Sequence, residues 1–307
     1  MAGVLAVIVI IYAHPGKYYN ITDTKSFSQW HNKIIYKGAK YHKNRDISPI
    51  LFLGIDHAYV QDDAIYLARG GRSDAIYVFL MNKKEKTITL LAVSRDSMTE
   101  VDVYNPEGEY YFSGVMQVTM QYAYGSSPEN SCKLSEKTIS EMLLNLDFDA
   151  HISVSLTAVS KVVDMLGGIT ITMPDDYSWI DPRFAKGATV TLNGEDADLL
   201  LHKRDITQLE SNDDRMKRHT LLIETAVKEL KDMGIVSHLS DILKIAKEDI
   251  STNAGLGTIR KLATYELAED HYTVPGDTRP GAEHAEFYVN DQALMDLLVD
   301  LLYVKEE

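Results

Sequence analysis

The chain has 307 residues, 45% hydrophobic and 25% charged, enough for a full core in one large domain or two small ones. Its formal net charge of −14 argues against nucleic acid as a partner, which would need a basic face. Cys132 is the single cysteine and none of the ten histidines has a His-Glu-x-x-His spacing, so an intramolecular disulfide is excluded and a zinc enzyme is not expected.

Val4 to Ala13 is almost purely apolar, and Lys17 is the first charge. A helix needs about 20 apolar residues to span a bilayer. The shorter run reads either as a buried strand or helix or, in preference, as the outer part of a membrane anchor (1–13) whose cytoplasmic start is missing; a cleaved signal peptide is a further reading, though the basic start it would show is not present. Lys17 to Ser48 is polar with scattered aromatics. It reads as a stalk or linker over 14–48, with a short helix near Ser26 to Ile35. The rest, 49–307, is expected to form one domain that ends in helices.

Ile50 to Ile55 is a continuous apolar run, the mark of a strand covered on both faces, with Asp56 at its end. The segment from His57 to Gly71 carries Asp62, Asp63 and Arg69. Two further runs, Ala75 to Met81 and Thr87 to Val93, flank a short polar turn and read as an antiparallel hairpin. The turn is centred near residue 84. Asp74 and Arg95 are nearly symmetric about it, so they should meet at the open end, with Arg72 and Asp96 beside them; a one-residue slip would turn these side chains over.

Asp102 to Gly114 reads as a polar loop, and Gln117 to Tyr124 as a possible helix start. Ser135 to Leu146 reads as a helix capped by Ser135. His151 to Leu156 alternates like a strand, Thr157 caps a helix closed by Gly167-Gly168, and Ile169 to Met173 is another strand. The order strand, helix, strand points to an α/β layered domain, an α/β/α sandwich around a mixed sheet. Asn193 begins a short helix that runs into His202, Lys203 and Arg204. Asp213-Asp214 starts a long helix to Met233. Arg215, Arg218 and His219 share one face of its first turns, where free N–H groups add positive potential. Val274 to Glu283 is a Pro- and Gly-rich loop, and Asn290 caps a last helix.

Arg72, Arg95, Arg204, Arg215 and Arg218 all fall at strand ends or helix starts. Arginine grips phosphate through a rigid fork of donors, so several around one point suit a pyrophosphate. Asp74 with Asp62 or Asp63 could hold Mg2+, which takes one or two carboxylates plus phosphate oxygens. Each residue alone has a plainer reading: Asp74 as a turn cap paired with Arg72, Asp96 as an orienter of Arg95, and His202 and His219 as structural or solvated groups. Their convergence in an acidic chain is what argues for a site.

The same residues resemble the motifs of the LytR-CpsA-Psr family of cell-envelope proteins. Leu53 to Asp56, Gly71 to Ile76, Val93 to Asp96, Leu166 to Ile169, Leu192 to Glu195 and Asp214 to His219 match its motifs in order, over roughly residues 50 to 233. The resemblance implies a membrane-anchored phosphotransferase of a Gram-positive envelope. Such an enzyme moves a glycopolymer, teichoic acid or capsule-like, from a polyprenyl pyrophosphate carrier onto peptidoglycan, with Mg2+ as cofactor. It implies Asp74 and Asp62 or Asp63 as metal ligands. Arg72, Arg95, Arg204, Arg215 and Arg218 would be pyrophosphate ligands, with His202 and His219 where the family has Arg and Gln. Asp74, Arg95 and Asp96 would be the catalytic group, one of the acids serving as base. The prenyl tail would need an apolar slot between the sheet and its helices. Asp214 in place of Gly, and Gln117-Val118-Thr119 in place of Lys-Ile/Leu-Asn, are further departures from the pattern. The competing readings are a non-catalytic envelope or regulatory protein that binds polyprenyl phosphate, and a lipid pyrophosphatase.

Overall fold

The structure is a computed structural model and describes residues 17–57, 71–105, 107–205, 208, 211–233, 239–282 and 284–306. Among these no helix is long and apolar enough to cross a membrane. Val4 to Ala13, and with them the expected anchor, lie outside the described residues, as do Asp62, Asp63 and Arg69.

Residues 17–48 are folded and do not form a linker. They contain β1 (Tyr19–Ile21), the single turn α1 (Thr24–Phe27), β2 (Lys33–Tyr36) and β3 (Ala39–Lys43). Asp23 caps α1 by accepting from the Ser26 N–H, and the turn ends early, with Trp30 in the left-handed region, where a longer helix would have continued. Lys37 and Gly38 both take positive φ, as a two-residue hairpin turn between β2 and β3 requires.

β4 (Ile47–Asp56), β5 (Arg72–Asn82) and β6 (Thr87–Val93) are antiparallel neighbours. Asn82 closes the β5–β6 turn by accepting from the N–H groups of Lys84 and Glu85. The register pairs Ile76 with Val93 and Asn82 with Thr87, which brings Asp74 level with Arg95 just beyond the last pair. Between β4 and β5 the register slips by one residue: Gly54 faces Ala75, yet Ile55 faces Ser73. Asp74 is therefore the extra residue of a β-bulge, a device that re-aims a side chain. Gly54 makes the close approach possible, since a Cβ there would lie 2.8 Å from that of Ala75.

Where a polar loop was expected, β7 (Met98–Tyr104) and β8 (Tyr110–Gln117) form a hairpin, and the loop shrinks to a turn organised by Asn105. A buried 3-10 segment, Val118–Tyr124, follows. Helix α2 (Pro128–Met142) begins a full two turns before Ser135, because Ser127 caps it and Pro128 fits its first turn; Ser135 itself is buried inside it. β9 (Ala150–Ser155) lies parallel to β4, and α3 (Leu156–Met165) returns the chain. β10 (Ile169–Thr172) and β11 (Thr189–Leu192) form a separate ribbon.

Next come α4 (Gly194–His202), α5 (Ser211–Met233) and α6 (Leu239–Asp249), followed by β12 (Ile250–Thr252), α7 (Leu256–Thr264), β13 (Glu266–Leu267) and β14 (Tyr272–Thr273). The main sheet has the order β12-β9-β4-β5-β6-β13, with β14 also on β6, and is mixed. The Pro- and Gly-rich stretch near residue 280 is a hairpin, β15 (Gly276–Pro280) with β16 (Ala285–Val289). Asn290 caps α8 (Asp291–Leu302), as expected, and β17 (Tyr303–Lys305) pairs with β3.

Each face of the sheet has its own core. Leu51, Leu53 and Val78 pack against Ile139, Leu294 and Leu298. Ala75, Tyr77 and Ala92 pack on the other side with Leu156, Val163, Leu200 and Leu222. This is the α/β layered arrangement that strand and helix order anticipates. It leaves one end of β4, β5 and β6 beside the end of α4 and the start of α5.

Candidate functional site

The site grows from the Asp74 bulge. Arg95 donates from Nη1 to Asp74 Oδ1 at 2.5 Å, and Arg215 donates from Nη1 to Oδ2 at 2.9 Å. Arg215 reaches the acid because it lies in the first turns of α5, which point at the strand ends. Its Nη2 is held by Asn212 Oδ1 at 2.9 Å, and Asn212 Nδ2 in turn donates to Ser94 Oγ at 3.0 Å. Helix and strand are thus tied by a continuous polar chain. All of these side chains are buried.

Asp96 forms the second acidic point. Its Oδ1 accepts from Gln117 Nε2 at 3.0 Å and lies 3.5 Å from Arg95 Nε. Its Oδ2 lies 3.9 Å from Arg204 Nη2, a looser contact. Arg204 is half-buried in the connection between α4 and α5, and donates to Ser211 Oγ at 3.3 Å. Arg218 sits one helical turn beyond Arg215, over the rings of Tyr177 and Trp179 at 5.6 and 5.5 Å, and donates to the Lys203 carbonyl at 2.7 Å. Asp214 Oδ2 lies 3.4 Å from its Nε.

Among the remaining expected residues, Arg72 opens β5 opposite Asp56, at the rim of the cluster. His202 ends α4, with Nε2 3.7 Å from Asp56 Oδ2 and Nδ1 3.1 Å from Asp198 Oδ1. His219 is brought near the cluster but faces away from it: its Nε2 bonds the Leu201 carbonyl at 3.0 Å, beneath the arginines. Burial, with Arg215 beside it, pushes His219 down to about 3. It is neutral at physiological pH and adds no positive charge, so the structure does not place it as a cationic phosphate ligand.

Burial by itself would raise the Asp74 carboxyl, but Arg95 and Arg215 outweigh that and hold it below the usual carboxylate range. Burial pushes Arg215 down to about 10, partly offset by Asp74, so it stays charged. Arg215 Nε, Arg204 Nε and Arg218 Nη1 are buried and have no hydrogen-bond partner among the described residues. Buried donors left open in this way are costly, and an oxyanion in their midst would satisfy them.

An apolar cavity of about 240 Å³ starts where the arginines end. Ala75, next to Asp74, and His219, next to Arg218, line its near end. Phe52, Phe79 and Leu230 line it further on. An apolar slot thus lies between the sheet and α3 and α5.

Mg2+ needs only one or two protein carboxylates when phosphate oxygens complete its shell. Among the described residues no group of three or more acids, histidines or cysteines could hold a metal. Asp74 fits as a single ligand, and would have to release Arg95 or Arg215 to serve. Asn212 and the Tyr177–Trp179 pair are contributors that sequence reasoning missed, and Gln117, noted there only as a departure from the family pattern, holds Asp96. Asn212 had a signal, since it lies three residues before Arg215 on one helix face.

The LytR_cpsA_psr family model matches residues 16–294. The chain belongs to this family. The polyisoprenyl-teichoic acid–peptidoglycan teichoic acid transferase TagU of Bacillus licheniformis is 26% identical over 213 residues, which cover 68% of this chain and 61% of that protein. The match thus spans less than two thirds of that relative. TagT of Bacillus subtilis, a transferase of the same name, is 23% identical over 98% of this chain and 92% of its own length. The solved structure of TagT bound to LI-WTA superposes with a TM-score of 0.60 at 24% identity, covering 84% of this chain and 90% of that one. At that identity the likeness establishes the LytR_cpsA_psr fold.

Proposed function

We propose that the chain is a phosphotransferase that takes a glycopolymer, teichoic acid or capsule-like, from a polyprenyl pyrophosphate and attaches it to peptidoglycan at the outer face of the membrane. The observation that carries this is the adjacency of the buried arginine cluster to the apolar slot: one holds a pyrophosphate, the other a prenyl chain. The names of the transferase relatives support the same reading.

In this reading Arg95, Arg204, Arg215 and Arg218 bind the pyrophosphate, and the open donors of Arg204, Arg215 and Arg218 stabilise charge on the leaving phosphate. An acceptor hydroxyl attacks the phosphorus that carries the polymer. The new P–O bond makes the phosphodiester, and the bond to the prenyl phosphate breaks. Asp96 takes the hydroxyl proton, because its Oδ2 is less engaged than either oxygen of Asp74. Mg2+, held by Asp74, would supply further neutralisation of phosphate charge. Titration with a polyprenyl pyrophosphate analogue, beside a polymer-transfer assay, tests the proposal. Arg95→Ala should lose binding, whereas Asp96→Asn should keep binding and lose most turnover. Full transfer by both variants would remove the site.

A further inference from the structure

The pole opposite the arginine cluster is basic, in a chain whose net charge is −14. Residues 17–46 carry seven lysines and arginines against two aspartates. The β5–β6 turn adds Lys83, Lys84 and Lys86, and it touches this region through the Lys83 N–H bond to the Asp46 carbonyl at 2.9 Å. Lys25, Lys40, Arg45 and Lys84 are exposed. Acids at this pole include Asp23, Asp46, Glu85, Asp149, Glu266, Asp296 and Glu306; Lys37 is paired with Asp296, Lys84 lies 3.7 Å from Glu85, Lys231 lies 3.0 Å from Glu266, Asp149 accepts from Ser48, and Glu306 bonds Tyr18. Aromatic rings are interleaved with the lysines. Lys33 and Lys40 both lie over Tyr18, and Lys43 over Trp30.

We infer that this face lies against an anionic phospholipid bilayer. Lysines with interleaved Tyr and Trp are the composition of a membrane-interface layer. The slot supplies the direction. α5 starts at the arginines and runs away from them, and from His219 to Leu230 the slot follows it for about 16 Å. Its far end approaches the basic pole: Lys231 donates to the Tyr265 carbonyl, and Glu266 N–H bonds the Lys86 carbonyl. A prenyl chain with its head at the arginines would therefore point its tail toward the bilayer. This last step rests on the proposed lipid substrate; the charge pattern does not.

The test is binding of the full chain to phosphatidylcholine vesicles and to the same vesicles containing phosphatidylglycerol. The comparison isolates charge from any apolar insertion. Each lysine near an anionic surface is worth about fivefold in binding. The wild type should prefer anionic vesicles, less so at high salt. The variant Lys25→Glu, Lys40→Glu, Arg45→Glu, Lys84→Glu should lose roughly a hundredfold or more of that preference, with an unchanged melting temperature and unchanged binding of the pyrophosphate analogue in detergent. Equal binding of the wild type to both vesicles, or a preference kept by the variant, would overturn the inference. So would lysine-dependent binding of soluble polyglycerol phosphate with no vesicle preference, which would assign the face to a polymer. Failure of pyrophosphate binding alone would strike the proposed function and leave the vesicle result standing.

Discussion

Asp74 is an anion held between two buried arginines, Arg95 and Arg215. Its two arginine bonds are both buried, and breaking a buried pair by deleting one partner costs about 3–5 kcal/mol. Asp74→Ala should therefore destabilise the chain by about that much in denaturant titration, because it strands Arg95 and Arg215 together. A near-neutral effect would mean that water reaches the pair. His219 gives a second prediction, with a definite sign. Its folded pKa, about 3, lies below the ordinary 6.5. The unfolded chain then binds more protons between those values, so the contribution of neutral His219 is full above pH 6.5 and is lost as pH falls toward 3. His219→Gln should flatten the stability–pH curve in that window, by at most about 5 kcal/mol. An unchanged slope in thermal melts would show that the histidine titrates freely.

At the scale of elements, the slot and the cluster share α5 but can be separated. Ala226 lines the slot away from the arginines. Ala226→Trp should weaken binding of a long-chain polyprenyl pyrophosphate while leaving inorganic pyrophosphate affinity unchanged; parallel losses would mean that the helix had moved. The meeting of Asp74 with Arg95 was legible in the sequence, because a symmetric turn fixes which residues lie level. The bulge was not legible, since it depends on Gly54 approaching Ala75 from another strand. The facing of His219 away from the cluster was equally hidden: three residues on one helix face fan over a wide arc, and only the packed α4 decides which of them meets the anion site. The α2 start was misplaced because two serines compete as caps, and burial of Ser135 is a tertiary fact.

For the whole molecule, the unexpected feature is the sheet that joins both ends of the chain. β1, β2 and β3 are short, and their inward residues, Ile34 and Tyr36, form too brief an alternation to read as strands without β17 beside them. These strands complete the core over α8. A chain beginning at Asp46 should consequently melt well below one beginning at Lys17, because Leu294, Leu298 and Leu302 would lose the cover of Phe27 and Ile34. Equal melting temperatures would show that the first sheet is an accessory. The same stitching sets an order in time. β3 is made about 260 residues before its partner β17, and long-range pairing of this kind is slow. Until α8 and β17 have emerged, Phe27, Ile34 and Tyr36 have no finished core to enter, so the newborn segment that carries β1 to β3 needs protection from aggregation.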